Sequence, residues 1–388
     1  MVKRKSKYIF AVLIAVAPYA SAYAQEKIEE AAPPSGMRGA PANLPDVSVI
    51  GEIYGFTGDG EYADMNKVLF NSAELALQGY LYPKMRTDII FAMHKHDEEL
   101  EWELEEAKVT GNQILGNLGL VAGKSLVGIG KVNTLHPHHR SYFSQPAVLN
   151  NFFGDHGLMA EGLQLNYLMP LPFFAQVSVG AWQGGEHTHS HASEEPETAD
   201  ILDVTGSTVT VALYEEEESE EFSLAGEIYT GRLWTSFPLS SISELEVGLN
   251  MAKGNGAHFE HHMDNVKVQG IDLTFKRWPT AHKRFIWQIE LYQMKREVPV
   301  GELERTGYYT FLGYRLNKYW ETGLRYDSSE NVLPDLVETE SASLILTKKM
   351  TETTYLRAEY QNYSKPEKEN KVYLQFVWGI GPHSHPLE

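Results

Sequence analysis

The sequence predicts an all-β chain that closes into a transmembrane antiparallel β-barrel of about 16 strands with no plug domain. Three observations predict it. From Val47 onward the 388-residue chain divides into segments in which side chains alternate between an apolar and a largely charged set, the period-two signature of strands with two different faces. Short turns alternate with longer polar connections and the segment count is even, as in bacterial outer-membrane barrels. Tyr, Trp and Phe gather at segment ends, where an interfacial aromatic girdle sits.

Taken in order, residues 1–24 read as a secretory signal peptide. Lys3, Arg4, Lys5 and Lys7 form its basic end, YIFAVLIAVAPYA its apolar run, and Ala22 to Ala24 (AYA) fits the small-residue cleavage rule. Residues 25–46, rich in Pro, Ala and Glu, read as a disordered lead-in. The barrel is expected over 47–381, with 382–388 as a C-terminal tail. Beyond the signal there is no apolar run of about 18 residues that would serve as a helical span.

Three segments show the alternation most cleanly. In KRFIWQIEL, Phe285, Trp287, Ile289 and Leu291 oppose Arg284, Gln288 and Glu290; in YWETGLRYD, Trp320, Thr322, Leu324 and Tyr326 oppose Glu321, Arg325 and Asp327; in TYLRAEYQ, Leu356, Ala358 and Tyr360 oppose Arg357, Glu359 and Gln361. A soluble sandwich alternates in the same way, so the connections decide. Short turns are expected at 81–84, 111–114, 169–172, 238–241, 279–283, 316–319 and 348–352. Longer connections are expected at 56–64, 96–101, 125–156, 184–221, 255–263, 297–304, 328–338 and 364–370. Segments 222–237 and 264–278 change phase midway, which predicts in each either a bulge or a strand boundary that lies elsewhere. A barrel of this size leaves an aqueous lumen, so charged side chains can face inward.

Composition narrows the chemistry. There is no cysteine, so any metal must be held by His, Asp and Glu. The formal charge of −19 becomes −23 once the four cations of the signal peptide are removed; such a surface repels nucleic acid and attracts cations. Neither a G-x-S-x-G elbow nor an H-E-x-x-H is present, and a barrel enzyme such as a protease or lipase is not expected.

With a periplasmic N-terminus, strand parity puts His282, His383 and His385 on the periplasmic side and the other twelve of the fifteen histidines in or beside outer loops. His187, His189 and His191 (HTHSH) precede acidic runs. Imidazoles at alternate positions beside carboxylates suit zinc, nickel or copper. His258, His261 and His262 lie with Glu260 and Asp264 in HFEHHMD. His94 and His96 share a parity with Arg86 and Asp88, placing them toward the lumen near its outer mouth. His136, His138 and His139 stand beside Arg140, with His156 further along the same loop. Pro137 keeps HPHHR out of regular structure, and in wide porins such a loop often folds inward to narrow the channel. Against the metal reading of each cluster stands a plain one: a solvated loop, a charged strand end, or histidines that tie the loop to the barrel wall. Arg140 also disfavours a tight metal centre at its own imidazoles.

The stretches LPDVSVIGE, ELALQGYLYPKMRTDIIFAMHKHD, GKSLVGIGKVNTLHPHHRSYF, NNFFGDHGL and LPFFAQVSVGAW, densest between Leu44 and Trp182, resemble a group of bacterial outer-membrane proteins described as zinc-regulated and often labelled TonB-dependent receptors. AGKSLVGIGK followed by a long loop is more distantly similar to phosphate-selective porins. The resemblance implies metal uptake. TonB-dependent receptors have plugged barrels of about 22 strands, which needs a longer chain, so the expectation is a porin-like outer-membrane channel for divalent metal, zinc first. His94, His96, His136, His138, His139, His156, His187, His189, His191, His258, His261 and His262 are its candidate metal contacts. A TonB-dependent metal receptor and a non-conducting metal-binding surface protein are the alternatives. No resident cofactor is required; Zn2+ or a similar ion is the cargo. Lipid and divalent ions are the expected partners, nucleic acid is not, a homotrimer is compatible with the barrel, and a TonB complex belongs to the receptor alternative.

Overall fold

The structure, a computed structural model, describes residues 45–59, 67–96, 99–184, 197–202, 208–213, 222–257, 264–298, 301–332 and 338–382. Its strands are β1 (Asp46–Gly58), β2 (Lys67–Tyr82), β3 (Met85–His96), β4 (Glu99–Leu115), β5 (Leu118–Leu126), β6 (Met159–Leu168), β7 (Phe174–Gly184), β8 (Glu197–Leu202), β9 (Thr208–Leu213), β10 (Ser223–Ser240), β11 (Ser243–Ala257), β12 (Asp264–Thr280), β13 (Lys283–Val298), β14 (Gly301–Arg315), β15 (Trp320–Ser329), β16 (Thr339–Lys349), β17 (Tyr355–Lys365) and β18 (Glu369–Ile380). Sixteen of them form one closed antiparallel barrel, each paired with its neighbours in sequence, and β1 closes on β18 from Val49↔Ile380 to Gly58↔Lys371. β8 and β9 form a separate hairpin within the β7–β10 connection.

The burial pattern inverts that of a soluble protein. Leu324, Leu344 and Leu374 are 52–56% exposed, whereas Arg325, Asp327 and Glu359 on the opposite parity are at most 2% exposed. In water such a surface would be costly. With hydrocarbon outside and a closed hydrogen-bonded wall, the same alternation leaves no unpaired strand edge and turns these charges away from lipid. The three segments singled out above follow this rule, with Arg284, Gln288 and Glu290 buried and Trp287 and Leu291 exposed.

The short turns lie where expected with one exception. The turn placed at 111–114 is at Gly116 and Asn117, because β4 runs on to Leu115 through a register irregularity after Gly111. Three connections expected to be long are short: only 97–98 separates β3 from β4, 299–300 separates β13 from β14, and 366–368 separates β17 from β18. Glu99, Glu101, Glu297, Glu302, Glu304 and Glu369, expected in loops, lie in strands. The bulge expected in 222–237 exists, as β10 shifts register against β11 between Ala225 and Tyr229. None lies midway in 264–278. Val266, Val268, Asp272, Thr274 and Lys276 keep one inward parity, and the apparent change of phase arises because Val266 and Val268 join an apolar cluster inside the barrel.

That cluster is built on the loop between β5 and β6, residues 127–158, which carries a short 3-10 turn (Pro137–His139) and the helix α1 (Ala147–Phe153). The loop folds into the lumen. Its backbone N–H groups donate to inward carboxylates and amides from several sides: Gly130 to Asn250 of β11, Val132 to Glu290 of β13, Ala147 to Asp327 of β15 and Phe143 to Glu359 of β17. Arg325 and Arg357 donate in turn to the carbonyls of Ser144 and Arg140. Tyr142, Val148, Leu149, Phe152 and Phe153 pack with Tyr292, Tyr309, Phe311 and Ile345 of the β13–β16 wall. Gly130, at φ 65°, admits this turn inward; a Cβ there would collide with Tyr292 Oη and Glu290 Oε2.

Candidate functional site

Opposite the apolar packing, the loop meets β2, β3 and β4, and here the chemistry changes. β4 contains a β-bulge: Ile90 of β3 pairs with Glu106 and Phe91 with Leu104, leaving Glu105 as the extra residue. A bulge lets two successive side chains share a face, and Glu105 and Glu106 are both buried. Regular alternation would have sent one of them into lipid. Glu74 reaches the same place from β2.

The 3-10 turn sets His136 and His138 above these carboxylates. His136 Nδ1 lies 3.2 Å from Glu105 Oε2 and 3.7 Å from Glu74 Oε2, and its Nε2 lies 3.6 Å from Glu106 Oε2. His138 Nδ1 is 3.0 Å from Glu74 Oε1, and His94 Nε2 of β3 is 3.3 Å from Glu105 Oε1. The His136 and His138 rings are stacked with centroids 5.9 Å apart, His139 lies 4.0 Å from His138, and His156 meets His94 edge-on at 5.7 Å. Glu106 is further held by Lys108 Nζ at 2.6 Å and by the Leu126 N–H at 3.2 Å. Burial alone would push the His136 imidazole down; the charge of Glu74 and the proximity of Glu105 and Glu106 outweigh it and hold the group well above the ordinary imidazole value.

The two sides of the lumen differ in what neutralises their carboxylates. On the far wall the partners are permanent cations: Asp272 with Arg232 at 3.0 Å, Glu246 with Lys131 and Lys276 at 2.6 Å each, and Asp327 with Arg325 at 2.7 Å. Among the described residues, Glu74 and Glu105 are ion-paired with imidazoles alone. An imidazole can exchange its proton for a competing cation; an arginine cannot.

Of the twelve histidines expected to contact metal, the structure brings His94, His136, His138, His139 and His156 together. His96 ends β3, but its side chain, like His187, His189, His191, His258, His261 and His262, lies outside the described residues. The Arg140 guanidinium donates to the Leu135 carbonyl at 3.2 Å and to Gln145 Oε1 at 2.8 Å. Sequence reasoning missed Glu74, Glu105 and Glu106. A signal for the last two existed: in EWELEEAK the adjacent glutamates break the alternation, and a charge facing lipid demands a bulge.

No family model matches the chain. It is 26% identical over 315 residues to an uncharacterized protein of Aquifex aeolicus, covering 73% of this chain and 63% of that one; the matched stretch thus spans less than two thirds of the relative. Among solved structures it is similar to OmpF of Salmonella typhi in complex with daunomycin (TM-score 0.52, 8% identity, 86% of this chain and 97% of that one). It is also similar to an anion-selective porin from Comamonas acidovorans (TM-score 0.51, 12% identity, 87% and 99%). A third likeness is to a loop-deletion mutant of OmpT, an outer membrane protein of Vibrio cholerae (TM-score 0.50, 9% identity, 87% and 100%). The fold is that of a bacterial outer-membrane barrel. A closed sixteen-strand wall with an apolar exterior places the chain in that membrane.

Proposed function

We propose that the chain is a porin-like channel for divalent metal ions, zinc first, with the loop of residues 127–158 as its constriction. The observation that supports this most is the meeting of loop and wall at His136, Glu74, Glu105 and Glu106, where carboxylates are balanced by exchangeable imidazoles. The loop's apolar side packs against β13–β16, whereas its imidazoles meet carboxylates along β2–β4, and this polar margin is the side that suits a cation. The negative charge of the chain raises the local cation concentration, and the acidic, His-rich outer connections act as collectors. Porins among the solved structures of this fold are in line with conduction. A channel site must bind strongly enough to admit an ion and weakly enough to release it, which favours a few carboxylates and imidazoles over a closed four-ligand cage.

The test is planar-bilayer recording of the purified protein. Discrete steps with a reversal potential set by cations, and liposome uptake of zinc that persists without an energised membrane, are expected. Absence of conductance steps would leave the protein a metal-binding surface protein. Uptake in cells that stops when the proton-motive force is removed would make it a receptor.

A further inference from the structure

We propose that Glu74 Oε2, Glu105 Oε2 and His136 Nδ1 form the inner shell of a discrete site for one partly dehydrated divalent transition metal ion, held in place by His138, His94 and Glu106. Its role in transport rests on the channel reading above; the binding does not.

The geometry has three parts. First, ligand atoms of a tetrahedral zinc site with bonds of about 2.1 Å stand about 3.4 Å apart. His136 Nδ1 already lies 3.2 Å from one carboxylate oxygen and 3.7 Å from the other, and the three residues present ligand atoms that all fall within 4.8 Å of one another. Second, each carboxylate uses its two oxygens differently. Oε1 of Glu74 is fixed by His138 and Oε1 of Glu105 by His94, while both Oε2 atoms converge on His136. Third, with Nδ1 on the ion the other ring nitrogen carries the proton, and it faces Glu106 Oε2 at 3.6 Å. Metal-bound histidines regularly donate that N–H to a carboxylate, and such partners tune affinity. Lys108 and the Leu126 N–H hold Glu106 in position.

An independent observation points to a ligand. Glu105 Oε2 and His136 Nε2 are buried, in residues only 6% and 7% exposed, yet neither makes a hydrogen bond. Buried polar atoms are almost always satisfied. A cation between the carboxylates satisfies Glu105 Oε2 directly, and a small rotation of the ring toward Glu106 satisfies Nε2. Two carboxylates and a neutral imidazole balance a 2+ charge and leave a fourth position open for exchange. The imidazole selects zinc-like ions over Ca2+ and Mg2+, which prefer oxygen shells.

The test uses full-length protein in detergent in which His187, His189, His191, His258, His261 and His262 are changed to Ala, removing imidazoles of the outer connections. Zinc titration by calorimetry and Co2+ absorption are expected to show one site per chain, with Ca2+ far weaker. E74Q and E105Q should weaken zinc by at least about 100-fold, and H94Q and E106Q by about 10- to 100-fold; H282A, on a periplasmic turn, should match the parent. Zinc affinity unchanged in E74Q and E105Q, or equal affinity for Ca2+, would overturn the site. If those variants do not fold, anomalous scattering from zinc-soaked crystals of the unsubstituted protein decides: a peak within bonding reach of the three atoms supports the site and a peak elsewhere removes it. Binding without conductance would sink the channel reading and leave the site standing; cation conductance with zinc bound elsewhere would do the reverse.

Discussion

Glu359→Gln isolates the attachment of the loop from its chemistry. Glu359, on β17, accepts from the Phe143 N–H at 2.6 Å, from the Ser144 N–H at 3.4 Å and from the Ser144 hydroxyl, and it lies 3.6 Å from Arg325 Nη2. Breaking a buried ion pair by removing one partner costs about 3–5 kcal/mol. Asp327 still holds Arg325 at 2.7 Å, so the lower end applies, and about 3 kcal/mol shifts the docked-to-undocked ratio of this part of the loop by about 100-fold. The remaining anchors at Gly130, Val132 and Ala147 keep the loop inside the barrel. The expected result is therefore a local opening near residues 143–145, read in single-channel recordings as a raised mean conductance with flicker and weaker cation selectivity. Heat-modifiable gel mobility checks that the barrel is intact. If a folded E359Q channel shows the conductance, noise and selectivity of the parent, the loop is not held by this contact and the reasoning fails.

Other outcomes follow from the same contacts. Phe152→Ala removes a fully buried ring from the loop's apolar cluster and should cost about 3–5 kcal/mol, measured as a lower thermal midpoint of the folded barrel. Leu324→Arg puts a charge on the exterior, where Leu324 is 56% exposed; a cost of about 2–4 kcal/mol near the bilayer midplane is expected in a folding titration into lipid, and a neutral result would place β15 away from hydrocarbon. Because the folded His136 is held above its ordinary value, its ion pairs contribute fully below the unfolded value and are lost as pH rises through the folded one. In chelator, the thermal midpoint should fall as pH rises above neutral, and H136Q should flatten that fall.

Much of the barrel was legible because its rule is local. Alternation in KRFIWQIEL, YWETGLRYD and TYLRAEYQ tells which side chains face lipid without knowing any partner, and turn chemistry separates the strands. Strand length was less legible: Glu99, Glu101, Glu297, Glu302 and Glu304 look like loop but belong to β4, β13 and β14, since strands carry charge freely where they leave the hydrocarbon. The hairpin β8–β9 inside an acidic connection gave no such signal. At the site, His94, His136 and His138 were visible as residue types suited to metal, but their partners were not. Glu74 lies 64 residues from His138, and no period links a loop to a wall. Only the doubled glutamate at 105 and 106, an offence against alternation, carried a signal from which the bulge could have been read.

The loop's dependence on distant strands also sets an order of assembly. Phe143 meets Glu359 across 216 residues of chain, and His138 meets Tyr355 across 217. Contacts so remote in sequence form late, after the chain between them has been gathered. A sheet still lacking β15–β18 therefore has nothing to receive Ser144 or Arg140, and it leaves Tyr142, Phe152 and Phe153 without Ile345. Such a half-built sheet is an open gutter with an apolar flap, prone to sticking. The loop has its full set of anchors only when β1 finds β18, so in this protein closing the wall and seating the loop are one event.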